Sequence, residues 1–251
     1  MASSTRGLVR VEQAAKRVRT YLGGELVADT VRPRLVWEVP SYPAYYLPAG
    51  DVRPGLLVPT GTTHHSPSRG DAHYFTVAAA ARQAVDGAWH YPASPLEALR
   101  GLIRFDWGAM DAWFEEDEEV IVHPRDPYTR VDILASSRHV EVVVEGVVVA
   151  DSRQPRLLFE TGLPTRYYLP LVDVRMDRLR PSPTVTRCPY KGTATYWSVE
   201  GGDGWVDDLA WCYRAPLLES VKIAGLACFF NERADLIVDG ALQDRPRTEF
   251  G

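Results

Sequence analysis

A short stretch of the chain, Cys188-Pro-Tyr-Lys-Gly192, places a thiol three residues before an ammonium. Both side chains are scarce, because the 251 residues include only three cysteines and three lysines. A thiol near an ammonium can have a lowered pKa and act as a nucleophile. The alternative is that Cys188 packs as a small hydrophobic residue while Lys191 points to solvent. The sequence therefore marks Cys188 and Lys191 as candidate catalytic residues without deciding between these interpretations.

Paired tyrosines occur at Tyr45-Tyr46 and again at Tyr167-Tyr168. Consecutive side chains of a strand point to opposite faces, so one ring of each pair is expected in the core. The other ring could line a cavity, although aromatic residues are also ordinary strand residues. Each pair is thus a candidate for binding a ligand.

A second aromatic pattern has a spacing of two residues, at Trp89 and Tyr91 and at Trp211 and Tyr213. This spacing puts both rings of a pair on one face of a strand. The rings are then either a cavity wall or part of the core, and the sequence favours neither.

A carboxylate follows each tyrosine pair, at Asp51 and Asp173. An aspartate just after a strand that ends in proline often caps a turn through its own side chain. The functional alternative is a carboxylate that binds a substrate amine or acts as a base.

These recurrences belong to an internal repeat. When the sequence is shifted by 122 positions, residues 24–53 fall on 146–175 without a gap, and 15 of the 30 positions are identical. The repeat predicts two homologous domains, residues 1–122 and 138–251, joined by a linker at 123–137.

The equivalent of the Cys-Pro-Tyr-Lys-Gly turn in the first repeat is Ser66-Pro-Ser-Arg-Gly70. The proline and glycine are kept, so the geometry of the turn is needed in both copies. Arg69 preserves the positive charge of Lys191, whereas Ser66 has lost the thiol. We therefore expect Lys191 to matter more than Cys188, and we expect the turn at 188–192 to border a ligand pocket in the second repeat.

Short runs of β-branched and aromatic residues between Gly and Pro predict mainly β structure. The run Ser94-Pro-Leu-Glu97 has the pattern of a capping box and predicts one short helix, with a helix also expected in the second repeat. The predicted fold is two tandem, compact domains of strongly bent β-tent or barrel-like sheet.

The composition of the chain argues against several classes of function. The chain has 28 basic and 33 acidic residues, which gives no electrostatic case for binding nucleic acid or a membrane surface. An odd, small number of cysteines indicates a reducing, cytoplasmic location rather than a disulfide scaffold. No Cys-x-x-Cys pair occurs, so neither a metal nor another cofactor is predicted.

Taken together, the strand ending in Asp151-Ser152, the Tyr-Tyr-Leu-Pro run at 167–170, Asp173, the turn at 188–192 and the Trp211/Tyr213 pair resemble the bacterial domain-of-unknown-function family 427. That family is sometimes labelled nucleotidyltransferase-like. The resemblance implies a small tent-type β fold with a pocket between two sheets, and it implies no established reaction.

The predicted function is that of a small-molecule-binding protein, or an enzyme, acting on a small aromatic or heterocyclic metabolite in an aromatic pocket. The alternatives are a non-catalytic interaction or scaffold protein and, less favoured, a nucleotidyltransferase; a homodimer is left open. The candidate catalytic residues are Cys188, Lys191 and Asp173. The candidate ligand-binding residues are Tyr45, Tyr46, Asp51, Arg69, Trp89, Tyr167, Tyr168, Tyr190, Tyr196, Trp211 and Tyr213.

Overall fold

The computed structural model describes residues 9–248 and Phe250. Residues 1–8, Glu249 and Gly251, which the predicted domain ranges include, lie outside the described residues. The chain divides into two compact units between Asp126 and Pro127. They are called the first and second unit below, and each is described by itself.

The described part of the first unit consists of antiparallel strands in a seven-stranded sheet of order β1-β4-β5-β9-β8-β7-β6 and a four-stranded sheet of order β11-β10-β2-β3. The strands are β1 (Arg10–Gln13), β2 (Val18–Leu22), β3 (Glu25–Thr30), β4 (Arg34–Val39), β5 (Tyr42–Pro48), β6 (Leu57–Ser66), β7 (Gly70–Ala78), β8 (Gln83–His90), β9 (Leu102–Phe105), β10 (Ala112–Glu115) and β11 (Glu118–Glu119).

The described part of the second unit repeats this arrangement, with sheet orders β12-β15-β16-β20-β19-β18-β17 and β14-β13-β21-β22. The strands are β12 (Val131–Ala135), β13 (Val140–Val144), β14 (Val147–Ser152), β15 (Arg156–Glu160), β16 (Arg166–Leu169), β17 (Leu179–Cys188), β18 (Gly192–Glu200), β19 (Trp205–Cys212), β20 (Ala227–Phe229), β21 (Asp235–Val238) and β22 (Ala241–Leu242).

The offset of 122 residues seen in the sequence carries over into the structure. Both ends of β6, β7 and β8 map onto the ends of β17, β18 and β19 at this offset. Strand β12 falls inside the segment 123–137 and pairs with β15, so the connection without regular structure is shorter than the predicted linker.

The structure corrects two details of the predicted fold. The described residues contain no α-helix: the capping-box segment gives only a three-residue 3₁₀ turn, Glu97–Leu99. Ser94 Oγ, before this turn, accepts a hydrogen bond from the Leu96 amide at 3.1 Å. The sheets also have linear strand orders with free edges and do not close into a barrel. The 3₁₀ segments are Ala49–Asp51, Glu97–Leu99, Trp107–Ala109, Leu171–Asp173, Met176–Arg178 and Leu218–Ile223.

The main core of each unit lies between its two sheets. In the second unit, Val140 and Val142 of the small sheet pack in one cluster with Leu169 and Phe229 of the large sheet. Burial of these apolar side chains supplies the main driving force for folding. The helical segments of the described chain are all too short to cross a membrane.

Candidate ligand-binding site

A second cluster of buried rings lies on the opposite, outer face of the large sheet in the second unit. At the end of β19, Ala210 and Cys212 belong to the core between the sheets, while Trp211 and Tyr213, the residue after the strand, belong to the separate cluster. This alternation is what a strand requires, because successive side chains point to opposite faces. We call the rings on this face, with the charged side chains that contact them, the outer-face cluster.

The tyrosine pairs divide between the two faces as predicted. Tyr168 joins the outer-face cluster, whereas Tyr167 packs against the core between the sheets. In the first unit, Tyr46 lies in the equivalent outer cluster and Tyr45 in the core, where its hydroxyl donates a hydrogen bond to Glu115. Tyr45 and Tyr167 are therefore core residues rather than parts of the candidate site.

Aromatic contacts connect the rings of the second unit's outer-face cluster. The indole Nε1 of Trp211 donates a hydrogen bond to the Tyr168 hydroxyl at 3.2 Å. The ring centres of Trp211 and Phe230 are 4.4 Å apart, and Tyr196 stacks on Phe230 with 6.5 Å between ring centres. Four residues predicted from the sequence, Tyr168, Tyr196, Trp211 and Tyr213, thus come together, and Phe230 is an addition that the sequence did not indicate.

Lys191 forms an ion pair with Glu160, and the side chains are only 10% and 7% exposed. The expectation that Lys191 is available to a ligand meets a physical obstacle, because its ammonium already has a buried partner. Glu160 was not singled out in the sequence, although it recurs as Glu38 in the first repeat. That recurrence was the signal that could have identified it.

Arg166 and Glu232 form a second buried ion pair, with N–O distances of 2.6 and 2.7 Å. Their side chains are 8% and 1% exposed. The Arg166 guanidinium also lies 5.6 Å from the ring centres of Trp211 and Phe230, within the range of a cation–π interaction. Burial alone would raise the pKa of Glu232, but hydrogen bonds from Arg166 and Thr248 outweigh it and hold that pKa below its usual value.

The turn at residues 188–192 is fixed to the segment that follows β19. The Leu217 amide donates to the Lys191 carbonyl at 3.1 Å, and Ser220 Oγ donates to the Tyr190 carbonyl at 3.0 Å. Gly192 has a φ of +97°, a conformation that favours glycine. Tyr190, proposed as a ligand contact, thus holds the turn in place through its backbone, and Cys188 pairs with Gly192 at the half-buried end of β17.

Burial raises the pKa of the Tyr168 and Tyr213 hydroxyls well above their ordinary value, and that of Tyr196 to a lesser extent. It also raises the pKa of the Cys228 thiol to about 12. These groups stay protonated near neutral pH. They can donate hydrogen bonds to a ligand, but they are poorly suited to act as bases or nucleophiles.

The two aspartates are bound in turns. Thr30 Oγ1 donates to Asp51 and Ser152 Oγ donates to Asp173, each at 2.6 Å. The residues that follow, Val52 and Val174, form bridges to the small sheet. These contacts favour the turn-capping interpretation, since Asp173 is bonded to Ser152 and not to the outer-face cluster.

The first unit carries an equivalent cluster whose charges are arranged differently. Glu38 accepts a hydrogen bond from the Tyr46 hydroxyl and lies 3.8 Å from Arg69 Nε and 3.4 Å from Arg104 Nε. Arg69 Nε also donates to the Tyr91 hydroxyl at 3.1 Å. Two guanidinium groups therefore share one carboxylate, and all three charged side chains are 18% exposed.

Trp89 contacts both Arg104 and Tyr74 in this cluster. The Arg104 guanidinium is 4.7 Å from the indole centre, and Tyr74 stacks on the indole at 5.3 Å. The buried Trp89 Nε1 has no hydrogen-bond acceptor among the described residues, whereas its equivalent Trp211 donates to Tyr168. In the first unit the Tyr46 hydroxyl donates to Glu38 instead.

Comparison with known proteins agrees with the repeat. The family model described as domain of unknown function DUF427 matches residues 10–116 and again residues 132–240. No curated protein matches the chain. The two matched ranges cover most of both units, and each contains one outer-face cluster. The chain therefore belongs to the DUF427 family, of which it carries two tandem copies.

Proposed function

We propose that the protein binds a small planar molecule, aromatic or heterocyclic and carrying a carboxylate, at the outer-face cluster of its first unit. The observation that carries this proposal is the pair of partly exposed guanidinium groups, Arg69 and Arg104, which share the single carboxylate of Glu38 beside the Trp89 ring. Guanidinium groups bind carboxylates through two parallel hydrogen bonds, and they also stack on aromatic faces.

The charge balance of the cluster supports a negatively charged ligand. Arg69, Arg104 and Glu38 leave an excess of one positive charge in a partly buried setting. Uncompensated charge away from water is unfavourable. A ligand carboxylate near the two guanidinium groups would offset the excess.

The ring contacts support a planar ligand. Tyr74, which stacks on Trp89, is only partly buried, so its ring offers a planar surface on which another ring can pack. A buried indole N–H without an acceptor costs about 1–3 kcal/mol. An acceptor atom on a ligand could satisfy Trp89 Nε1 after a small side-chain movement.

The second unit provides the contrast. Its two cations and two anions pair completely as Lys191 with Glu160 and Arg166 with Glu232. This cluster is balanced without a ligand, so we assign it a mainly structural role and place ligand binding in the first unit. The proposal is for binding and assigns no bond-making step to Cys188.

The proposal can be tested with defined probes. Full-length protein is titrated with nicotinate and indole-3-carboxylate, and with the uncharged amides of both, by isothermal calorimetry and saturation-transfer NMR. We expect both carboxylates to bind. The amides should bind at least about tenfold more weakly, because a charge-assisted hydrogen bond contributes about 1.5–3 kcal/mol. Arg104→Gln should cause a similar loss.

Trp211→Phe is the matched control, since it alters the equivalent ring of the second unit and should leave the affinity unchanged. The melting temperature of each variant shows whether it has folded. Equal binding of acids and amides, or full affinity in Arg104→Gln, would contradict the proposal. If no carboxylate binds at all, the interaction-protein alternative is favoured.

A further inference from the structure

The small sheet of the second unit carries three potential metal ligands on its solvent face. Glu141 of β13 and Asp151 of β14 are direct cross-strand partners, and His139 precedes Glu141 by two residues. This spacing puts all three side chains on one face. The His139 Nε2 lies 2.7 Å from Asp151 Oδ1, and one ligand atom from each residue lies within 4.8 Å of the others.

The cross-strand pairing of Glu141 with Asp151 brings two like charges together. Carboxylates directly opposite each other on neighbouring strands destabilise the pairing. Glu141 sits opposite Asp151, and within the described part of the chain its carboxylate has neither a hydrogen bond nor an ion pair. Arg138, which directly precedes His139, is bonded to Asp239 at 2.7 Å.

In the first unit the same positions place opposite charges, and not like charges, across the two strands. The residues equivalent to the three ligands are Arg17, Arg19 and Asp29. Arg17 Nε donates to Asp29 Oδ1 at 2.7 Å, and Arg19 is the cross-strand partner of Asp29. The small sheet of the first unit therefore carries two arginines and one aspartate at these positions. The small sheet of the second unit carries one histidine and two carboxylates instead.

We propose that His139, Glu141 and Asp151 form a binding site for one divalent transition-metal ion, with zinc as the representative ion. An imidazole nitrogen with two carboxylate oxygens is a ligand set that zinc accepts, and water can complete the coordination. The ion would also neutralise the opposed carboxylates. Sequence spacing predicted no metal, because these ligands come from two strands that only the fold brings together.

The site is separate from the proposed ligand-binding cluster, since it lies on the small sheet of the other unit. It is tested on full-length protein after any affinity tag has been cleaved. Zinc is titrated in competition with a chromogenic indicator, and cobalt binding is followed by its visible absorption. We expect one equivalent of zinc to bind and Glu141→Gln, which preserves the side-chain shape, to weaken binding about tenfold or more.

A double variant, His139→Arg/Glu141→Arg, installs the residues of the first unit, so it should fold and lose the site. Asp29→Asn in the first unit is the matched control and should bind zinc normally. Cys188→Ser should also leave the bound cobalt spectrum unchanged. The proposal is overturned if the wild-type protein binds no zinc, if both second-unit variants retain full affinity, or if Asp29→Asn abolishes binding.

Discussion

Lys191 and Glu160 form an ion pair that the second unit almost fully encloses. The first unit repeats it with Arg69 and Glu38, at positions offset by the same 122 residues. The positive charge that both hairpin turns keep is thus explained by an internal carboxylate on another strand of the same large sheet, Glu38 on β4 and Glu160 on β15. The two pairs differ in one respect: the Lys191–Glu160 pair of the second unit is buried, whereas Glu38 of the first unit also lies close to Arg104.

Replacing Lys191 should therefore be costly to stability. Lys191→Met removes the cation and leaves the Glu160 carboxylate buried without its partner, and breaking such a pair costs about 3–5 kcal/mol. The free energy of unfolding, measured by urea titration monitored by circular dichroism, should fall by this amount.

A double variant separates the ion pair from packing. Lys191→Met/Glu160→Leu removes both charges, and its stability should return most of the way to that of the wild type, because apolar replacements of a buried pair are often neutral. A Lys191→Met variant as stable as the wild type would contradict the buried ion pair between Lys191 and Glu160.

The pair of Arg166 and Glu232 should make the protein sensitive to acid. The pKa of Glu232 lies below its usual value of 4.5 in the folded protein. A carboxyl group of this kind contributes stability that is complete above its unfolded pKa and is lost as the pH falls toward the folded one.

Unfolding free energies measured from neutral pH down through pH 4.5 should therefore decline. Glu232→Gln should be less stable than the wild type over this pH range. Its unfolding free energy should also fall less steeply with pH, by a slope that corresponds to the uptake of at most about one proton per molecule on unfolding. A Glu232→Gln slope equal to that of the wild type would contradict the assignment.

The sequence was sufficient to predict the repeat, the dominance of strands and the division of the tyrosine pairs between two faces. These features follow from local periodicity, since alternation along a strand decides which face a side chain occupies. The capping-box signal at Ser94–Glu97 is followed by one short 3₁₀ helix, Glu97–Leu99, and not by an α-helix. Capping signals mark where a helix can begin and carry no information on its length.

The partners of the charged residues could not be read from the sequence. Lys191 and Glu160 are 31 residues apart, and Arg166 and Glu232 are 66 apart. They meet only because β15, β16 and the strands that follow align in one sheet. Arg104 on β9 lies close to Trp89, and Arg166 on β16 lies close to the equivalent Trp211. The sequence did not reveal this correspondence, because the two arginines occupy different positions of the repeat.

The glycine of the turn should be hard to replace. Gly192 has a φ of +97°, and an added Cβ would lie 3.4 Å from the Leu217 nitrogen. Gly192→Ala should lower the unfolding free energy by about 1–2 kcal/mol, because a left-handed conformation is strained for alanine. Gly108→Ala is the matched control, since Gly108 has an ordinary φ and open space around it, and its stability should change little. Equal stabilities of the two variants would show that the turn is not held in this conformation.

The three free thiols should differ sharply in reactivity. Cys212 and Cys228 are buried, and burial raises the pKa of both, that of Cys228 to about 12. Cys188 is half-buried at the turn. Since the thiolate is the reacting form, the native protein should present one fast thiol to Ellman's reagent, and denaturant should release the other two. In Cys188→Ser the fast phase should vanish while the unfolding free energy changes by about 1 kcal/mol or less. A fast phase that persists in this variant would mean that one of the buried thiols is accessible, contrary to its place in the sheet.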